Sequence, residues 1–142
     1  MQLTRYTDYA FRMLIYLSLQ EEDTRITIND IAEHFDIPRN HLIKVAHRLG
    51  QLGYIHTTRG KGGGVTLGMA TDEIGLGDIV RHMETQLNVV NCDQPPCPIL
   101  PQCKLRGVLG KARNAFLETL DQYTLADLRQ RPSQLKVLLK VS

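Results

Sequence analysis

Three features of this sequence predict a mainly α-helical chain with one small β-hairpin. A short amphipathic segment is followed, across a proline-containing break, by a second amphipathic segment with a basic outer face. An alternating run and its return flank a glycine-rich, basic tip. A long apolar stripe near the C-terminal end is too extensive for the other helices to cover. Together these read as a winged helix-turn-helix followed by a long dimerisation helix.

The elements follow in order. Tyr9 to Leu19 is a strongly apolar helix, with Thr7 or Asp8 near its start as a cap. Gln20 to Arg25 is a charged connection. Thr27 opens a short helix whose buried face is Ile28, Ile31, Ala32 and Phe35, and Asp36-Ile37-Pro38 breaks it. Proline suits the first turn of the next helix, Arg39 to about Leu52. There Leu42, Val45, Ala46, Leu49 and Leu52 repeat at helical spacing, while Arg39, Asn40, His41, Lys44, His47 and Arg48 lie opposite. Tyr54 to Arg59 alternates as a strand, Gly60 to Gly64 turns, and Val65 to Leu67 returns.

Ile79, Val80 and Met83 mark a short helix from Gly77 to about Glu84. From Lys104 to about Gln122, a long helix carries Leu105, Val108, Leu109, Ala112, Ala115, Phe116 and Leu120 on one side, for which a second copy is the natural cover. Thr124-Leu-Ala-Asp-Leu caps a last short helix, and a weakly ordered tail closes the chain. At 142 residues the chain is one compact unit with three expected parts: a DNA-binding domain over 1–75, a connecting helix and cysteine loop over 76–103, and a dimerisation helix with its tail over 104–142.

Charge distribution points to function. Of 15 acidic residues, none lies from Ile37 to Thr71, a stretch holding Arg39, Lys44, Arg48, Arg59 and Lys61. A surface stripped of negative charge is what phosphate requires. Asn40, His41 and Lys44 are expected to face base edges of double-stranded DNA, with Arg39, Arg59 and Lys61 on the backbone or minor groove. The glycine-rich tip is not a nucleotide-binding loop, because no Gly-Lys-Ser/Thr opens a helix after it. Paired catalytic carboxylates and nucleophile–base arrangements are missing, which argues against an enzyme. The absence of a long apolar run and of a leader at the start fits a cytoplasmic protein with no membrane association.

Cys92, Cys97 and Cys103 are the only cysteines. An odd count leaves one thiol over from any disulfide, and clustered thiolates are good ligands for zinc or an iron–sulfur cluster. Pro95, Pro96, Pro98 and Pro101 keep the segment out of helix and strand. The gaps differ from zinc-finger pairing and suit a cluster spread over a loop. Three thiolates leave the usual four one short. The missing ligand is a non-cysteine residue, solvent, or a group from another chain. A zinc-stabilised or thiol-redox winged-helix regulator is the alternative reading.

The basic wing Arg59-Gly-Lys-Gly-Gly-Gly, the opening Leu3-Thr-x-x-Thr-Asp-Tyr-Ala and the triple-cysteine loop before a long helix resemble the iron–sulfur winged-helix repressor family. Arg39-Asn-His-Leu, Val90-Asn-Cys92 and Asp121-x-Tyr-Thr-Leu-Ala-Asp-Leu128 most resemble its nitric-oxide-responsive branch. The resemblance runs from Met1 to the last helix. It implies a homodimeric repressor of a palindromic operator, with nitric oxide as the signal and an iron–sulfur cluster on Cys92, Cys97 and Cys103. Such ligands hold either 4Fe-4S, the favoured form, or 2Fe-2S. In the branch that regulates cluster assembly, the fourth ligand is a histidine three residues after the last cysteine. Here that residue is Arg106, which cannot ligate. In the nitric-oxide branch an aspartate in the first helix of the other subunit serves, and Asp8 occupies that place. Asp8 as a simple helix cap and His82 as a nearby competitor are the other readings.

Overall fold

The computed structural model describes residues 1–129 and 131–141. Among these residues, six α-helices and one two-stranded antiparallel sheet surround an apolar core. The first helix, α1 (Arg5–Ser18), runs through its centre, burying Ala10, Met13, Leu14 and Leu17. It begins four residues earlier than its apolar periodicity suggests. The Thr4 hydroxyl caps it by accepting from the Thr7 amide, and Glu84 in turn accepts from the Thr4 amide at 2.7 Å. Thr7 and Asp8 therefore lie inside the helix, and the reading of either as its cap is corrected.

The second helix, α2 (Ile28–Phe35), starts on a capping box in which Thr27 and Asp30 satisfy each other's backbone amides. This reciprocal arrangement stabilises a helix start by about 1 kcal/mol. Asp36 ends the helix in the left-handed region, at φ 52°. Buried Ile37 then packs into the core, and Pro38 leads into α3 (Arg39–Gln51). Leu42, Val45, Ala46 and Leu49 face inward, as their spacing requires.

The wing pairs β1 (Ile55–Thr58) with β2 (Gly64–Leu67), Ile55 opposite Leu67 and Thr58 opposite Gly64. The segment before α2 runs alongside it, and the Val65 amide donates to the Ile26 carbonyl at 2.7 Å. Next come α4 (Leu76–Met83) and α5 (Lys104–Asp121), packed on each other and joined by the cysteine loop. Arg81 of α4 grips Asp121 of α5 through two hydrogen bonds of 2.6 and 2.7 Å. Gly77 allows this approach: a Cβ there would sit 1.9 Å from an Asp121 carboxylate oxygen.

Within its own chain α5 buries only Leu117, and Leu105 and Val108 are each 59% exposed. Thr124 and Leu125 lead into a 3-10 segment (Leu125–Arg129). The expected weakly ordered tail instead forms a short helix, α6 (Pro132–Leu138). Lys136 ties it to Glu21 at 3.0 Å, while Leu139 and Val141 rest on the core. No described helix is long and apolar enough to cross a membrane.

Candidate nucleic-acid interface and candidate metal centre

A helix whose core stripe is Leu42, Val45, Ala46 and Leu49 must point Asn40, Lys44, His47 and Gln51 the other way. All four are exposed. Arg39 sits at the first position of α3, where its guanidinium donates to the Asn29 carboxamide oxygen at 2.6 Å. His41 lies on the flank of α3 rather than its outer stripe, stacked on the Tyr9 ring of α1 with centroids 6.2 Å apart. Tyr6 of α1 donates to the Lys44 carbonyl at 3.4 Å, so α1 buttresses α3 at two points.

Arg59 and Lys61 stand at the exposed wing tip. Gly60 and Gly62 turn the tip with φ of 87° and 85°, values that side chains rarely adopt. Gly63 is required for a different reason: a Cβ there would lie 2.0 Å from the Thr58 carbonyl oxygen. Between α3 and the wing runs a groove of about 410 Å³ lined by Arg39, His47, Thr58, Arg59 and Arg25. The fold thus brings Arg39 and Arg59 to one groove, although twenty residues separate them in sequence. Asn40 and Lys44 do not line it. Arg25 and Asn29 escape the sequence reading, because neither belongs to the recognition helix or the wing.

The cysteine loop is organised by short local bonds. The Asn91 side-chain oxygen accepts from the amides of Asp93 and Gln94, each at 3.1 Å, and the Cys97 amide donates to the Cys92 carbonyl at 3.0 Å. A 3-10 turn (Leu100–Gln102) then delivers Cys103 to the N-cap position of α5. All three thiols are free and half-buried. Cys92 and Cys103 line one cleft of about 460 Å³ with Asp93, Arg106 and Arg113. Cys97 does not line it.

As donors, three free thiols on a proline-rich loop fit a soft metal or an iron–sulfur cluster. Among the described residues, no three His, Cys, Asp or Glu side chains are gathered into a metal site, the three cysteines included. Asp8 instead pairs with Arg12, one turn along α1, at 2.9 Å, both side chains remaining partly exposed. His82 is engaged elsewhere: its Nδ1 lies 2.9 Å from the Tyr54 hydroxyl. Burial pushes that hydroxyl above its ordinary pKa, and the Asp78 charge adds to the shift.

The family described as "Rrf2: Iron-dependent Transcriptional regulator" matches residues 3–131. The chain belongs to the Rrf2 family. Among Rrf2 relatives, the HTH-type transcriptional regulator NsrR of Bacillus subtilis (strain 168) is 45% identical over 144 residues, covering 99% of each chain. The protein of the same name from Bacillus licheniformis is 43% identical over 142 residues, covering 98% of this chain and 99% of its own. Solved Rrf2-like structures agree. CymR, the global cysteine regulator of B. subtilis, superimposes with a TM-score of 0.70 at 25% identity, covering 90% of this chain and 95% of its own. T. potens IscR shares the fold, with a TM-score of 0.71 at 23% identity over 90% of this chain and 85% of its own. The chain is accordingly a DNA-binding transcriptional regulator of the Rrf2 family, and not an enzyme.

Proposed function

We propose that this chain is a cytoplasmic, homodimeric repressor that responds to nitric oxide through an iron–sulfur cluster. The observation that carries this reading is the set of three free thiols in one loop, placed where the winged helix-turn-helix meets the exposed apolar side of α5. Similarity to regulators named NsrR supports it. Cys92, Cys97 and Cys103 would hold the cluster, with Asp8 of the partner subunit as the fourth ligand. When bound, the cluster supplies iron to which nitric oxide can bind, and 4Fe-4S is favoured over 2Fe-2S.

The chain's own residues account for the coupling. A carboxylate is a harder donor than a thiolate, which makes Asp8 the weakest of the four ligands. Asp8 belongs to α1, and α1 packs directly on α3 through Tyr9 against His41 and Tyr6 against Lys44. A tie between α1 and the partner's loop therefore bears on where the recognition helix sits. The exposed stripe of Leu105, Val108, Ala112 and Ala115 would form the dimer seam, setting two recognition helices against half-sites of a palindromic operator. Releasing the tie shifts the dimer toward a state of lower DNA affinity.

Asn40 and Lys44 would read base edges, with His41 held at their flank, while Arg39, Arg59 and Lys61 meet the backbone or minor groove. Lys61→Ala should weaken binding to every sequence and lower the slope of log affinity against log salt by about 0.9. An unchanged slope removes Lys61 from the phosphate contacts. Asp8→Ala should alter both cluster retention and the nitric oxide response, and an unaltered cluster with a normal response excludes Asp8 as a ligand. DNA binding that survives strict iron chelation in a colourless protein would favour the zinc or thiol-redox reading.

A further inference from the structure

Arg25 ends the charged connection between α1 and α2, in neither of the two elements expected to meet DNA. Its backbone neighbour Ile26 is buried and accepts the Val65 amide, which fixes the segment against the first residues of β2. From there the exposed Arg25 side chain reaches over the wing. Its Nε donates to the Gly63 carbonyl at 2.5 Å, across 38 residues of sequence. Gly63 is the residue whose own Cβ would strike Thr58, so Arg25 grips the wing at its tightest point. The same side chain lines the groove between α3 and the wing, with Arg39, His47 and Arg59.

A guanidinium carries five N–H donors in a planar fork. One of them is used by Gly63, and among the described residues no carboxylate pairs with Arg25. Its charge lies in a groove lined by further cations and by no acidic side chain. Such a groove repels cations and is suited to a phosphate oxygen.

We infer that Arg25 is both a positioning residue and a phosphate contact of the DNA interface: it pins the wing through Gly63 and turns its remaining donors toward the DNA backbone. This rests on the reading of α3 and the wing as the face that meets DNA. The two roles are coupled, because the bond to Gly63 orients the fork while the fork holds the tip carrying Arg59 and Lys61. A lysine would keep the charge without the fork. A glutamine would keep donors without the charge and with a shorter reach.

The test compares wild type, Arg25→Gln and Arg25→Lys as the full chain, with duplex DNA bearing its operator, over a range of salt concentrations. Arg25→Gln should reduce affinity about tenfold, as expected for a lost charge-assisted hydrogen bond, and lower the salt slope by about 0.9. Arg25→Lys should hold the slope near the wild-type value. In the free protein, both variants should exchange the Gly63 amide hydrogen faster, while the amides of α1 remain as protected as in the wild type.

An unchanged salt slope in Arg25→Gln would overturn the phosphate contact, and unchanged exchange at Gly63 would overturn the clamp. Arg59→Ala and Lys61→Ala serve as controls, since both are placed on the DNA backbone. Should they also leave the slope unaltered, the choice of DNA-facing surface is at fault. Should they lower it while Arg25→Gln does not, the inference about Arg25 falls alone.

Discussion

The winged helix-turn-helix and the cysteine loop are built on opposite principles. In the first, α2, α3 and the wing each bury residues in one shared core, and their polar ends are satisfied by Thr27, Asp30 and the Ile26 carbonyl. The second contains no fully buried residue from Thr85 to Arg106 and holds its shape with short-range bonds from Asn91, Cys92 and Cys97. A reading head must be rigid before it meets DNA, because misplaced contacts forfeit specificity. A loop whose order depends on an added ligand can report on that ligand. Under the proposed function, recognition belongs to the preformed half and response to the half completed from outside.

The largest expected effect tests the rigidity of the first half. Leu42→Ala should destabilise the fold by about 2–5 kcal/mol in denaturant titration, since Leu42 is fully buried in the core. Cys97→Ser, measured on metal-free protein, should change stability by no more than about 0.5 kcal/mol, because a half-buried loop side chain contributes little. Similar losses for both would erase the contrast.

Gly63→Ala comes next. With a Cβ forced toward the Thr58 carbonyl, the wing must distort at a cost of roughly 1–3 kcal/mol. Loss of DNA affinity with unchanged helical content should reveal this. Thr27→Ala removes the capping box of α2 and should lower stability by about 1 kcal/mol, read from thermal unfolding.

The smallest effect concerns the ion pair between α4 and α5. Hydrogen bonds from Arg81, reinforced by its charge, hold the Asp121 carboxyl below the ordinary carboxylate range. A depressed pKa contributes stability above the unfolded value and loses it as pH falls through the folded value. The small melting-temperature difference between wild type and Asp121→Asn should therefore be present at neutral pH and vanish in strong acid. A difference that persists in acid would assign the effect to packing around Gly77 instead.

Legibility in the sequence follows the same division. The helix pair and wing are readable because Leu42, Val45, Ala46 and Leu49 keep helical spacing and glycines punctuate the turn. The start of α1 is not, because its cap, Thr4, precedes the apolar run by several residues and only the fold shows its bond to Glu84. The last helix, α6, carries an apolar run without clean periodicity and is held by Lys136 reaching Glu21, 115 residues away. At the candidate sites, cysteine spacing is visible in one dimension. The position of His41 beside Tyr9, the pairing of Asp8 with Arg12 and the reach of Arg25 to a backbone carbonyl depend on contacts that residue types do not encode.

The most direct test of the account is iron and sulfide analysis of protein purified without oxygen, with operator binding measured before and after nitric oxide. The expected result is a coloured protein holding iron and sulfide on Cys92, Cys97 and Cys103, whose DNA affinity falls when nitric oxide is added. An iron-free protein that still releases DNA in response to nitric oxide would contradict it.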